Sequence, residues 1–282
     1  MLRVAVPNKG SLSEPAVEML REAGYRQRAV RHELVLVDHD NDTEFFFLRP
    51  RDIATYVGEG QLDVGITGRD LLLDGDSNAQ ELLALGFGRS TFRYATVPGT
   101  ATDVAEFAGK RIATSYPGVV RLDLAKRGVE AEVLRLDGAV ETAVRLGVAD
   151  IVADVVETGA TLRQAGLEVL GEPILQSEAV LIRDARNGDP SPQVEQLARR
   201  LHGVMIARQY VMIDYDVRVE SVDPACQLTP GIESPTVSPL HDKGWVAVRA
   251  MVLRKDTNTI MDQLWDLGAR GILVTDILAC RL

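Results

Sequence analysis

Between residues 149 and 162 the chain reads Ala149-Asp150-Ile151-Val152-Ala153-Asp154-Val155-Val156-Glu157-Thr158-Gly159-Ala160-Thr161-Leu162. An apolar run, Ile151 to Val156, has the composition of a buried strand. It passes into a short turn around Gly159 and then into a second apolar-periodic stretch that reads as a helix. Such a turn can aim several backbone N–H groups at one phosphate, and the helix dipole favours the negative charge. Asp154 and Glu157 stand where carboxylates can hold ribose hydroxyls or a divalent cation. Thr158 and Thr161 flank the glycine with hydroxyls, while Val155, Gly159 and Ala160 offer backbone only. A ligand joining a phosphate, a ribose and a metal-bound pyrophosphate engages all of these groups, and phosphoribosyl pyrophosphate is such a ligand. The competing reading is plainer: acid, hydroxyl and glycine residues also follow parallel strands simply to turn the chain and cap the next helix.

Other loops carry similar chemistry. Lys9 and Gly10 follow a strand over 2–6 and precede a helix over 12–23, where Ser11 and Glu14 have capping-box spacing. A phosphate is welcome at that position, although a capped helix with a solvated lysine explains the same residues. Arg49 and Arg51 sit after a strand over 44–48 and can fork onto a pyrophosphate or triphosphate. Asp70 follows Gly68 after a strand over 62–67; it can accept from a substrate amine or hydroxyl, or cap its own helix. Tyr116 precedes Pro117 and a helix over 117–127, placing an aromatic ring where a purine can stack or where it can pack over the turn. Glu141 opens a helix over 139–146, either facing ribose hydroxyls or complementing the dipole. The sequence contains no serine–histidine–aspartate spacing, no metalloprotease helix and no Walker phosphate loop. Chemistry by positioning and electrostatics is therefore favoured over a protein nucleophile.

These loops need a scaffold. Strand and helix patterns alternate through the first two-thirds of the chain, with further strands over 92–97, 111–114, 132–136 and 150–156. That alternation predicts an α/β fold with parallel sheets covered by helices, and a ligand site beyond the carboxyl ends of the strands. A polar, turn-rich segment over 186–192 leads to a helix over 194–208. From Tyr210 onward the order becomes strand, helix, strand, strand, helix, strand, which is the ferredoxin-like arrangement.

At 282 residues the chain is long enough for about two domains. With 46% hydrophobic residues it has the composition of a folded globular protein. Its net charge of -10 argues against a general nucleic-acid binder, while leaving room for a locally basic pocket. The two cysteines, Cys226 and Cys280, form no paired motif, and the four histidines lack metal-ligand spacing. No stretch has the length and apolarity of a membrane span, and no secretory leader precedes the first strand. A cytoplasmic protein is expected.

Taken together and in order, Val6–Gly10, 46–52, 63–70, 111–117, 136–141, 150–162 and 231–236 resemble the ATP phosphoribosyltransferases, the family that opens histidine biosynthesis. The resemblance spans the whole chain and is to the long form. It implies a two-lobed, periplasmic-binding-protein-like catalytic part plus a C-terminal ferredoxin-like, ACT-like regulatory domain. Residues 1–90 with 178–208 would form one lobe, 91–177 the other, and 209–282 the regulatory domain. It implies condensation of ATP with phosphoribosyl pyrophosphate, Mg²⁺ as cofactor, feedback inhibition by L-histidine, and a homo-oligomer from dimer to hexamer. Residues 154–161 carry over as the cradle of the 5′-phosphate and ribose. Lys9, Arg49, Arg51, Asp70, Tyr116 and Glu141 carry over as contacts of nucleotide or pyrophosphate, with Lys9, Glu141 and Asp154 as the catalytic set. The metal ligands are left undefined. Ala160 departs from a common family pattern, where a basic or amide side chain often stands; Arg163 is the candidate to replace it. Asp216, Ile232, Ser234, Thr236 and Gly271 carry over as the histidine site, which rests on the resemblance rather than on spacing. A non-catalytic small-molecule sensor with an effector domain, and a transferase for a different base, are the alternatives.

Overall fold

The computed structural model describes residues 1–28, 33–156, 159–186 and 188–281. In chain order the regular elements are β1 (Leu2–Pro7), α1 (Ser13–Glu22), β2 (Val35–Asp38), β3 (Thr43–Leu48), α2 (Pro50–Gly58), β4 (Val64–Gly68), α3 (Arg69–Asp74) and β5 (Ala79–Ala84). There follow β6 (Ser90–Thr96), β7 (Arg111–Thr114), α4 (Pro117–Arg127), β8 (Glu132–Arg135), α5 (Glu141–Arg145), β9 (Ile151–Val156), α6 (Ala160–Gln164), β10 (Glu168–Ser177) and β11 (Ala179–Asp184). The remainder is α7 (Pro192–Gln209), β12 (Tyr210–Arg218), α8 (Val222–Leu228), β13 (Thr236–Pro239), β14 (Trp245–Leu253), α9 (Thr257–Asp266) and β15 (Arg270–Asp276).

The strands make three sheets, ordered β2-β3-β1-β4-β11-β5, β10-β6-β9-β7-β8 and β13-β14-β12-β15. Two compact units hold them: residues 1–21 with 25–198, and residues 22–24 with 199–282. The first two sheets belong to the first unit and make it a two-lobed α/β body.

Neither of those sheets is purely parallel, which corrects the expectation of parallel sheets. β1 runs parallel to β3 and β4, and β7 runs parallel to β8 and β9. Around these cores, β2, β11, β6 and β10 pair antiparallel. The reason lies in the connections. The chain passes from β5 in one sheet to β6 in the other and returns from β10 to β11, so the passing strands arrive against the parallel direction. Four strands unassigned from sequence, β2, β5, β10 and β11, are all antiparallel members.

Local sequence explains the elements that hold the site. β3 alternates Thr43, Phe45 and Phe47 inward with half-exposed residues between, the period of a strand with one face on the core. α2 begins at Pro50 and α4 at Pro117, a position where the missing N–H costs nothing. α4 ends on Gly128 in the left-handed region, φ 68°, which a residue with a Cβ adopts less readily. The second lobe closes around Phe92, Tyr94, Phe107, Ile112 and Ile151. Each such side chain contributes about 1.5–3 kcal/mol by leaving water.

The C-terminal unit has strand order and direction of the ferredoxin-like fold, with β12 between β14 and β15, both antiparallel to it. Val211, Ile213, Tyr215 and Val217 point inward at period two. The buried Tyr215 hydroxyl lies 2.8 Å from Thr229 Oγ1, which donates to the Ala225 carbonyl. Burial pushes this phenol up. Tyr215→Phe should cost about 1 kcal/mol, because Thr229 keeps its other partner; denaturant unfolding followed by the fluorescence of Trp245 and Trp265 measures it.

Candidate active site

The ends of β1, β3, β4, β7 and β9 converge in the first unit. A cavity of about 230 Å³ there is lined by Lys9, Gly10, Asp70, Tyr116 and Val155, with Ser90 and Gly68 among the other walls. Residues predicted from separate loops of both lobes thus meet in one place. A second cavity, about 560 Å³, shares Ser90 and reaches Val156, Ser177, Arg69 and Arg89. The second falls within the size range of small-molecule sites, and the first, which adjoins it, is smaller.

Asp70 is buried at the second position of α3. It does not cap the helix; Gly68 occupies that position without a side-chain bond. Its Oδ1 accepts from the Ser177 hydroxyl at 2.8 Å, and its backbone N–H donates to Ser177 Oγ at 3.0 Å. Ser177 ends β10, just before the chain returns to the first sheet. Sequence reading passed over Ser177 because the strand that presents it was itself unassigned.

Tyr116 meets Phe92 edge-on, with centroids 5.3 Å apart, and carries the Arg51 guanidinium 4.9 Å from its ring centre. Burial, reinforced by the Asp70 carboxylate, pushes its phenol up. Arg51 donates to Asp74 Oδ2 at 2.5 Å and to the Ser115 carbonyl at 2.9 Å. Those donors are engaged within the protein. Arg49 is exposed at the head of α2, and Lys9 is exposed at the cavity rim.

Asp154 is half-buried near the end of β9 and takes the Val155 N–H at 2.8 Å. Burial holds its carboxyl above the usual range, against that hydrogen bond, and the charges of Glu141 and Asp70 add to the rise. The three carboxylates are thus near enough for their charges to act on one another. Glu141 opens α5 after a tight turn in which Gly138 has φ 89° and Ala139 φ 48°. Ala139 pays for a left-handed backbone with about 1–2 kcal/mol. The turn is tied to β7 by Ser115, whose hydroxyl donates to the Leu136 carbonyl and accepts from the Gly138 N–H.

Gly159 caps α6 at φ 68°, with Ala160 and Thr161 in its first turn. A Cβ on Gly159 would lie 3.2 Å from an Arg163 guanidinium nitrogen, so Arg163 folds back over the turn. Glu157 and Thr158 lie outside the described residues.

In the C-terminal unit Asp216 and Gly271 come together: a Cβ on Gly271, φ 60°, would lie 3.4 Å from the Asp216 carboxylate. Thr236 pairs with Arg249 on β13, the edge beyond β14, about 10 Å from β12 at ordinary strand spacing. Ile232 and Ser234 are exposed in the preceding loop. The backbone brings only the first pair into direct contact.

Comparison with known proteins bears on what this arrangement serves. The family model described as ATP phosphoribosyltransferase matches residues 49–203, and that of its C-terminal domain matches 207–279. A relative from Arthrobacter sp. named ATP phosphoribosyltransferase is 66% identical over the whole of both chains. The chain belongs to the ATP phosphoribosyltransferase family. A relative of the same name from Streptomyces coelicolor is 62% identical, again over both full lengths. Among solved structures, the Thermotoga maritima ATP phosphoribosyl transferase (HisG:HisZ) complex aligns with TM-score 0.61 and 27% identity, covering 73% of this chain and 98% of that one. The match of the C-terminal model to 207–279 marks the long form of the family. The activity is that of an ATP phosphoribosyltransferase, the first step of histidine biosynthesis. No helix among the described residues is long and apolar enough to cross a membrane.

Proposed function

We propose that the cleft between the two lobes binds ATP and phosphoribosyl pyrophosphate together and aligns adenine N1 with C1 of the sugar. One observation carries this reading: Lys9, Asp70, Tyr116 and Val155, drawn from both lobes, line a single cavity beside the half-buried Asp154. Residues 1–90 with 178–208 and residues 91–177 form its two walls, and 209–282 form the effector domain.

The 5′-phosphate rests on the N–H groups of Gly159, Ala160 and Thr161, Arg163 supplies the cation that Ala160 lacks, and Glu157 and Thr158 are further contacts on the strength of the sequence alone. Asp154 and Glu141 face the ribose. Lys9 and Arg49 serve the phosphates, Arg51 backs the Tyr116 ring from its bonds to Asp74 and Ser115, and Asp70 with Tyr116 serves the adenine. N1 of adenine forms a bond to C1 as the bond from C1 to pyrophosphate breaks, and the electron pair leaves with the pyrophosphate. Positive charge grows on the sugar, where the carboxylates stabilise it; negative charge grows on the leaving group, where the cations do. The attacking nitrogen carries no proton, so no general base is required.

The donor set suits Mg²⁺. No group of three potential metal ligands occurs among the described residues, and Mg²⁺ is commonly held by one or two carboxylates plus substrate phosphates. Asp154 and Glu141 would hold it, and the ion would neutralise charge on the departing pyrophosphate. The direct test follows absorbance of the adenine product with ATP, phosphoribosyl pyrophosphate, Mg²⁺ and pyrophosphatase. Turnover is expected; its absence with active reagents would favour the non-catalytic sensor.

The C-terminal domain binds L-histidine as feedback inhibitor in a cytoplasmic homo-oligomer, from dimer to hexamer. Asp216 takes the ligand's cationic group, Gly271 permits its approach, and Ile232 and Ser234 in the preceding loop, with Thr236 at the start of β13, complete the site. Asp216→Ala should weaken inhibition about thirtyfold, the loss of roughly 2 kcal/mol from one charged hydrogen bond, and spare turnover. A histidine titration of activity measures it, and unchanged inhibition places the effector elsewhere.

A further inference from the structure

We propose that Asp74 is a positioning residue for phosphoribosyl transfer: it fastens one lobe to the other and so assembles the wall of the cleft that carries Tyr116. The proposal rests on the reading of that cleft as the substrate site. Asp74 lines neither cavity and lies at the end of α3, in the lobe of the six-stranded sheet. Its side chain is only 7% exposed, although its two partners come from separate segments.

The first partner is α4, in the opposite lobe. That helix begins at Pro117 after Tyr116, which provides no side-chain cap. The N–H of Gly118 would be left over at its positive end. Asp74 Oδ1 accepts this N–H at 2.7 Å, so a carboxylate of one lobe caps a helix of the other and meets its dipole favourably. The approach requires glycine. A Cβ on Gly118 would lie 2.4 Å from the Asp74 carbonyl oxygen and 3.0 Å from its carbonyl carbon. These are backbone atoms and cannot swing aside.

The second partner is Arg51, from α2, held by Asp74 Oδ2 at 2.5 Å. Arg51 in turn donates to the Ser115 carbonyl and covers the Tyr116 ring. Ser115 is itself bonded to the turn that leads into Glu141. One buried carboxylate therefore organises a chain of contacts that runs from α3 through Arg51 to Tyr116 and on to the Glu141 turn. An isolated surface ion pair contributes little. Here the Asp74 end is 7% exposed and the Arg51 end 36%, and the one carboxylate serves both Arg51 and the Gly118 N–H. It is suited to a contact that forms and releases in each catalytic cycle.

The consequence is a population effect. If only closed lobes bind both substrates well, loss of the fastening lowers the closed fraction and raises apparent dissociation constants by that factor. A closed complex, once formed, still reacts. Asp74→Ala should raise KM for both substrates about tenfold while kcat falls much less. Gly118→Ala, which alters no charge, should do the same. Asp74→Asn, which keeps the acceptor for Gly118, should lie between Asp74→Ala and the unaltered protein.

The experiment is steady-state kinetics of the three variants alongside hydrogen–deuterium exchange of the peptide containing Gly118. Faster exchange at Gly118 in Asp74→Ala, slowed again by the two substrates, together with the rise in KM, supports the proposal. Unchanged KM in Asp74→Ala and Gly118→Ala overturns it, and so does a lowered melting midpoint with normal KM, which would make the contact merely structural. The unaltered protein is assayed in parallel. If it fails to turn over ATP, the reading of the cleft has failed, while the exchange measurement still reports whether Asp74 holds α4.

Discussion

Replacing Asp154 with asparagine should lower kcat by about 10²–10³-fold, the range for removing one preorganised electrostatic group, and should raise the melting midpoint at neutral pH. The second half follows from the carboxyl group's surroundings. Burial, with Glu141 and Asp70 nearby, raises its pKa in the folded chain. The folded state therefore holds this proton to higher pH than the unfolded chain does. Stability associated with the protonated form is fully present below the ordinary carboxylate range and is lost as pH climbs through the raised value. At neutral pH the ionised Asp154 opposes folding, and asparagine removes that cost. Below the carboxylate range the stability gain should vanish. Kinetics and thermal melts at several pH values read both effects. Normal turnover in the asparagine variant would remove Asp154 from the reaction. A lower midpoint at neutral pH would show that the carboxylate supports the fold instead of opposing it.

Gly68→Ala should cut kcat/KM by about a hundredfold, the scale expected when a site group shifts by about 1 Å, while the fold survives. Gly68 has an ordinary backbone, φ -82°, so alanine introduces no strain there. Its Cβ, however, would lie 2.2 Å from Asp70 Oδ1. That atom ends a flexible side chain, and the clash is relieved by rotation of the carboxylate away from Ser177. Stability changes little; the position of Asp70 changes a great deal. Ser177→Ala removes the same anchor without a clash and should fall in the same direction by a smaller factor. A variant of Gly68 with normal kcat/KM and normal stability would show that the placement of Asp70 against Ser177 has no part in the reaction.

How much of this was legible in the sequence depends on whether the cause was local. The helices opening at Pro50 and Pro117 and the strand alternation around Phe45 and Phe47 could be read directly, since a fixed proline φ and a period of two are properties of short segments. The site loops could be read for a related reason: in α/β bodies they follow strands, and the types at Lys9, Asp70, Tyr116 and Asp154 are those suited to phosphates, sugars and bases. The antiparallel strands β5, β10 and β11 were not legible. Glu168–Ser177 mixes Gly171, Pro173 and charged residues and pairs with β6 through a break in register between Leu170 and Leu175. Its strand character comes from its partner. Ser177 was missed with that strand, and Asp74 because its acceptor role depends on a helix more than 40 residues away. Arg51 was read as a free phosphate ligand, whereas its donors meet Asp74 and Ser115. No local pattern encodes a contact between lobes.

On the proposed reading the turn following β9 holds the phosphoribosyl donor. A crystal soaked with phosphoribosyl pyrophosphate and Mg²⁺ tests it most directly. The 5′-phosphate is expected on the backbone N–H groups of Gly159, Ala160 and Thr161, with the ribose beside Asp154. Donor density elsewhere, with that turn empty, would contradict it.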